Sequence, residues 1–349
     1  MNPKLWQGKR VLLTGHTGFK GSWLTLLLRD LGAEVVGFSL PPNRSESLYI
    51  DARIRSELSS EFIQDIRDGV AVDMAMSESR IDYVFHLAAQ AYVRRSVKNP
   101  IESFTTNIIG TANVLTCALA TSSVLGVTVV TTDKVYENLG EKKFFSESDK
   151  LGGRDPYSSS KAAAEVVVAS IISSNNPRYI PVTTVRAGNV IGGGDWGEER
   201  LVPDLVKALQ FNSVLSIRNP NSTRPWQSVL DCLFGYLLVA QSHIEKKTDV
   251  PKSINFGPKE SLSVIEVVSL FEGAFGKKVN HKIVQSSIPE AESLALDSSL
   301  AQAYLGWSTS FSQVEAVIQT ARWYNNFRDG ADAKELMLED ISKFKQGKW

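Results

Sequence analysis

Apolar residues in the first half of the chain follow two alternating rhythms. Short runs rich in β-branched and aromatic residues, "RVLLT", "EVVGFS", "EFIQDIRD", "DYVFHLA", "GVTVVTTD" and "IPVTTVR", read as buried strands. Between them lie stretches with apolar residues at helical spacing. The first carries Leu24, Leu27, Leu28 and Leu31, a long one covers about 99–120, and another covers about 157–173. Strands alternating with helices over 10–186 predict an α/β fold: a doubly wound parallel sheet of Rossmann type, covered on both faces. Right-handed crossovers then bring the C-terminal strand ends to one edge, where such sheets bind ligands.

After Arg186 the rhythm breaks at "AGNVIGGGDWGEERLVPD", which is rich in glycine and charge. A smaller, mixed α/β substrate-binding lobe is expected over 187–227 and 253–349. The apolar helix "VLDCLFGYLLVAQSHIE", at about 228–252, returns to the first lobe. Two further helices are predicted in "SVIEVVSLFEGAF" and "QVEAVIQTARWY", the second with Val314, Val317, Ile318 and Ala321 on one face.

The turn after the first strand, "TGHTGFKGS", spaces Gly15, Gly18 and Gly21 three residues apart. A triphosphate loop needs four residues before a Gly-Lys-Ser/Thr triplet, and neither Gly15 nor Gly18 has one. What remains is a variant of the dinucleotide fingerprint, whose glycines let backbone and helix N-terminus approach a pyrophosphate.

Bulk properties narrow the partners. The 349 residues are 43% hydrophobic and 22% charged, with 38 basic and 38 acidic side chains. Such balance offers no basic footprint for nucleic acid. No apolar run reaches the roughly 20 residues of a membrane span. The first strand follows the start too closely for a secretory signal, so a cytoplasmic protein is expected. Cys117 and Cys232 lie in apolar helical patterns and read as buried thiols. The four histidines show no ligand spacing, and no metal site is expected.

The chemistry is carried by "DPYSSSKAAAE", in which Tyr157 and Lys161 stand four apart and share a helix face. A tyrosine is a weak base near neutrality. An adjacent ammonium, aided by the positive charge of an oxidised nicotinamide, lowers its pKa so that a phenolate can take a proton from a substrate alcohol. Thr132, at the end of "VVTTDKVY", is placed to orient the same alcohol. Asp133 and Lys134 follow it directly.

With these residues in view, the chain resembles the extended short-chain dehydrogenase/reductases along essentially its whole length. The matching motifs are "TGHTGFKGS", "DIRD", "FHLAAQ", "TNIIGTANVL", "YSSSK", "RAGNVIGGGD", "RPWQSVLD" and "LGWSTS". Within that family, nucleotide-sugar 4,6-dehydratases place an acid–base pair after the catalytic Thr or Ser. Most have Thr-Asp-Glu, whereas this chain has Thr132-Asp133-Lys134. With "RPWQ" and the extended glycine motif, the replacement is similar to the branch that acts on CDP-glucose. That branch makes CDP-4-keto-6-deoxyglucose, a precursor of 3,6-dideoxyhexoses in the O-antigen of bacterial lipopolysaccharide.

The resemblance implies a lyase that oxidises C4 of the sugar, removes water across C5 and C6, and returns the hydride to C6 with NAD recycled each turnover. It assigns Thr132, Asp133, Lys134, Tyr157 and Lys161 to catalysis. Asp133 is the candidate acid for the C6 hydroxyl, but a lysine beside it favours the carboxylate, so the division of acid and base between Asp133 and Lys134 stays open.

For the cofactor, the resemblance implies Gly15, Gly18, Phe19, Lys20 and Gly21 at the pyrophosphate, and Asp65 and Ile66 at the adenine. Leu87, Ala88 and Ala89 fall at the ribose, with Asn107 behind the nicotinamide. Ser39 occupies the usual place of an acidic ribose ligand, with Arg44 nearby in sequence. That leaves NAD against NADP open, with NAD favoured by its recycling. Asn189, Leu201, Val202, Pro203 and Arg224 are implied in binding CDP-glucose or a related nucleotide sugar. The two long helices of the first lobe are expected to pair in a homodimer, or a dimer of dimers. The rival readings are a nucleotide-sugar epimerase or reductase of the same fold, and a non-enzymatic NAD(P)-binding sensor.

Overall fold

The computed structural model describes residues 1–42, 46–140, 143–174, 176–284 and 294–348. At its centre is a parallel sheet of seven strands: β1 (Arg10–Thr14), β2 (Glu34–Ser39), β3 (Ser60–Ile63), β4 (Tyr83–His86), β5 (Val127–Val130), β6 (Val182–Ala187) and β7 (Ser253–Phe256). Their order across the sheet is β7-β6-β5-β4-β1-β2-β3. The direction of winding reverses at β1 and β4, which puts a crevice beyond their C-terminal ends.

The expected returning segment ends near residue 252 but runs on through Phe256. Its last four residues form β7, whose Ile254 and Phe256 are fully buried against β6. The four-residue run is too short to show a strand period, which is why the rhythm of the sequence does not reveal it.

Helices cover both faces: α1 (Phe19–Asp30), α2 (Gly69–Ser79), α3 (Gly110–Ala120), α4 (Pro156–Ser174) and α5 (Leu201–Phe211) come first, then α6 (Val229–Ile244), α7 (Val264–Phe275), α8 (Gln313–Arg328) and α9 (Ala333–Lys348). One core lies under α1 and α6 and extends to α7 and α8, taking in Trp6, Leu27, Leu237, Phe271 and Trp323. A second, under α2 and α3, takes in Leu12, Val36, Met76 and Leu115.

The long helix expected over 99–120 is present, but Thr105–Ile109 is a π-turn between Pro100–Phe104 and α3. On α8 the buried face is Gln313, Ala316, Val317, Thr320, Ala321, Trp323 and Tyr324, while Val314 points outward at 40% exposure. Cys232 is buried and Cys117 only half-buried, and both are free thiols. Among the described residues no helix is long and apolar enough to cross a membrane, and no three potential metal ligands cluster.

The chain closes by laying α9 back on the first lobe. Phe344 meets Phe234, Lys345 pairs with Asp30 and Lys334 pairs with Glu57. Asp340 of α9 shares a small recess with Trp23, Leu230 and Thr320. Burial pushes its pKa from 3.8 up to about 7, with Lys343 opposing and Glu339 reinforcing the shift. A raised carboxyl favours the protonated fold, so this group costs stability as pH climbs from its unfolded value to about 7 and costs it fully above. Asp340→Asn is therefore expected to melt with the parent near about pH 4 and at a higher temperature than the parent near about pH 8. Calorimetry at the two pH values checks this.

Candidate active site

The glycine turn after β1 is shaped by its lack of side chains. Gly15 has φ +79°, and a Cβ there would sit 2.7 Å from the Ala88 amide nitrogen; one on Gly21 would overlap the Gly15 carbonyl and lie 2.7 Å from His16 Cα. Backbone thus lies directly against backbone beneath the crevice. No side chain caps the start of α1 at Gly18, so its first N–H groups are free to face an anion. A bare backbone floor with an uncapped helix start fits the diphosphate of a dinucleotide.

The turn is pinned from below by Thr14, whose Oγ1 accepts from the amides of Leu87 and Ala88 at 3.1 Å and bonds His86 Nδ1 at 2.7 Å. The other His86 nitrogen meets Thr111 Oγ1 at 3.0 Å. Burial, with the Lys161 charge, drives the His86 pKa down to about 3, so the ring is neutral. Ser39 Oγ is 2.8 Å from Thr17 Oγ1, which also donates to the Leu40 carbonyl. Arg44 lies outside the described residues.

The reactive groups come from two elements. Tyr157 and Lys161 sit in the first turns of α4, both buried. The Lys161 ammonium donates to the Val130 carbonyl at the end of β5, 2.9 Å away. Burial and the nearby Lys20 charge lower its pKa to about 8, against a raising influence from Glu165. Just past β5, Thr132 Oγ1 donates to Asp133 Oδ1 at 2.9 Å, and Lys134 Nζ reaches the same oxygen at 3.5 Å. Asp133 Oδ2 is buried with no partner.

Burial raises the pKa of the Tyr157 phenol, and the Asp133 charge adds to the rise. The cations that act against the rise are Lys134 and Arg200. The Lys161 ammonium, expected to act on the same phenol, lies one turn on along α4 and bonds the β5 carbonyl.

One cavity of about 1000 Å³ is lined by all of the site residues named from the sequence except Asn107. That volume is large enough for two extended ligands end to end. Asn107 stands behind the wall, where its amide donates to the Gln90 carbonyl at 3.0 Å and to Ser160 Oγ at 2.8 Å and accepts from Gln90 N at 2.8 Å. It therefore joins the segment after β4 to the start of α4. At the other end of the cavity, Asn189 Oδ1 is buried without a partner, Arg224 Nη1 donates to the Thr223 carbonyl at 2.8 Å, and Leu201 and Val202 open α5.

Two contacts near these residues are not legible in the sequence pattern. Arg200 is held by Asp195 Oδ2 at 2.9 Å and lies over the Tyr92 ring at 5.5 Å, and both partners keep it charged. Lys20 donates to the Tyr236 hydroxyl at 3.2 Å, so its side chain runs under the cavity rather than out to solvent. Arg200 sits in a loop with no periodicity to flag it. The partner of Lys20 is 216 residues away.

The GDP-mannose 4,6 dehydratase family profile matches residues 12–320. CDP-glucose 4,6-dehydratase of Salmonella typhimurium is 37% identical over 353 residues, covering 99% of this chain and 98% of that enzyme. UDP-glucose 4-epimerase of Neisseria meningitidis serogroup C is 26% identical, covering 93% of this chain and 99% of that one. Among solved structures, MoeE5 in complex with UDP-glucuronic acid and NAD superposes with a TM-score of 0.80 at 24% identity, over 91% of this chain and 99% of that one. Pal from Bacillus thuringiensis gives the same score and coverage at 26% identity. With a profile spanning most of its length and a relative at 37% identity from end to end, the chain belongs to the GDP-mannose 4,6-dehydratase family of NAD-dependent nucleotide-sugar dehydratases and epimerases.

Proposed function

We propose that this protein converts CDP-D-glucose to CDP-4-keto-6-deoxy-D-glucose and water. The observation that carries the reading is the Asp133–Lys134 pair, set in one turn with Thr132 and facing the same cavity as Tyr157 and Lys161. An epimerase or reductase of this fold uses the tyrosine and lysine but has no task for a second acid–base pair. The Salmonella relative supports the choice of CDP-glucose.

In this reading Gly15, Gly18, Phe19, Lys20 and Gly21 hold the diphosphate of NAD, Asp65 and Ile66 meet the adenine, and Leu87, Ala88 and Ala89 flank the ribose. Ser39, tied to Thr17, takes the place of an acidic ribose ligand. When bound, NAD supplies a hydride acceptor that is regenerated within each turnover. Asn189 and Arg224 hold the substrate diphosphate, with Leu201, Val202 and Pro203 walling the nucleotide.

Tyr157 takes the proton from the C4 hydroxyl while Thr132 orients that hydroxyl. The charges of Lys134 and Arg200 favour the phenolate against the cost of burial. A ketone at C4 acidifies the C5 proton. Asp133 and Lys134, 3.5 Å apart, then remove that proton and deliver one to the C6 hydroxyl, which leaves as water. Their closeness lets a proton taken by one be passed through the other.

The same reading makes the protein a cytoplasmic homo-oligomer. Ile101, Ile109 and Val166, on the helical segments expected to pair, are 71%, 50% and 59% exposed, which suits burial in a dimer.

Incubation with CDP-glucose and NAD is expected to give a 4-keto-6-deoxy product with no net reduced cofactor, and substrate deuterated at C4 should carry the label to the C6 methyl. Label lost to solvent, or an epimerised hexose as the only product, would overturn the reading. Tyr157→Phe should lower C4 oxidation by about 10² to 10⁴-fold. Lys134→Ala should spare C4 oxidation and impair water loss, resolved by identifying sugars quenched within a single turnover.

A further inference from the structure

The mechanism above leaves one buried polar cluster without a task. Glu165 follows Tyr157 and Lys161 at the same four-residue interval, so all three share a face of α4. Its carboxylate is almost fully buried. It accepts from Arg186 Nε at 2.9 and 3.1 Å and from Arg186 Nη2, and it also accepts from the hydroxyls of Thr131 at 2.6 Å and Thr184 at 3.2 Å.

Arg186 Nη1 continues to the Tyr136 hydroxyl at 2.7 Å, and the guanidinium lies 4.9 Å from the centre of that ring. Tyr136 in turn donates to Asn255 Oδ1 at 2.6 Å, and Asn255 donates onward to the carbonyls of Phe145 and Asp297. The chain of bonds therefore starts on the tyrosine helix and crosses the ends of β5, β6 and β7. It grips the turn of residues 132–134 from both sides, at Thr131 before it and Tyr136 after it.

Stability alone does not account for such a cluster. A buried ion pair loses much of its attraction to desolvation, and apolar residues of equal volume hold a fold as well. What a saturated ionic network adds is one fixed arrangement. Here that arrangement is the separation between two reactive pairs on different elements.

We propose that Glu165, Arg186 and Tyr136 are positioning residues that hold the Asp133–Lys134 turn in register with Tyr157 and Lys161. The kinetic part of this inference rests on the dehydratase reading; the structural part does not. Glu165 also favours the charged form of Lys161, so the cluster bears on both pairs.

Tyr136→Phe deletes only the hydroxyl that links Arg186 to Asn255 and keeps the ring stacked on Phe145 at 5.1 Å. In the resting variant, amide hydrogen exchange of residues 133–137 should rise about tenfold while that of residues 157–165 holds, the loss of one buried hydrogen bond being worth about that factor. With CDP-glucose, water loss should slow by about tenfold or more while C4 oxidation and KM stay near the parent's, so that the 4-keto sugar still bearing its C6 hydroxyl accumulates.

Thr131→Val, which releases the turn from the opposite side, should give the same signature and serves if the first variant unfolds. Arg186→Lys should not restore the network, since an ammonium lacks the planar fork that spans carboxylate and phenol. Unchanged exchange at residues 133–137, or equal slowing of oxidation and water loss in both variants, would overturn the proposal. Absence of any turnover by the parent protein would instead overturn the dehydratase reading and leave the exchange measurement to decide this one.

Discussion

The bond from the Lys161 ammonium to the Val130 carbonyl fixes the geometry on which the rest of the site depends. It fastens the first turns of α4, which carry Tyr157, to the tip of β5, which leads into Thr132. Keeping an ammonium in that buried place is costly, as its fall to about pH 8 shows, and the carboxylate of Glu165 one turn on partly offsets the cost. Lys161 ties the helix to the strand, and Lys134 and Arg200 oppose the rise that burial imposes on Tyr157.

Most of the architecture was legible because the α/β pattern writes itself twice, once in strand composition and once in helix spacing. The six strands expected before residue 186 are all in the sheet, and the glycine turn follows the first of them. The seventh strand stands outside that pattern because its four residues, Ser253–Phe256, alternate polar and apolar over too short a run to mark a strand. On α8, Val314 was assigned to the core by spacing alone. The buried face instead runs through Ala316, Val317, Thr320, Ala321 and Tyr324, which turns Val314 outward.

Within the site, motif residues that lie close in sequence were easy to group, and the cavity gathers them. What sequence could not show is contact made across the fold. The pairing of Arg200 with Asp195 and Tyr92, of Lys20 with Tyr236, and of Arg186 with Glu165 joins residues whose types are ordinary on any surface. Their meaning comes only from burial and direction. The same holds for Arg200, whose charge the fold brings to bear on Tyr157.

The π-turn at Thr105–Ile109 has its own consequence for how such a chain can change over generations. A wide turn holds one residue more than a regular one, so losing a single codon there would heal the helix rather than break it. The flanking helices would keep their facing, because the wide turn already absorbs the extra residue, and only the residues of the turn itself would be re-aimed. Asn107 would swing away from Gln90 and Ser160, and the wall behind the cavity would open although every remaining backbone bond looked ideal. The irregular turn is thus what aims Asn107 at Gln90 and Ser160, and a tidier helix would lose that aim.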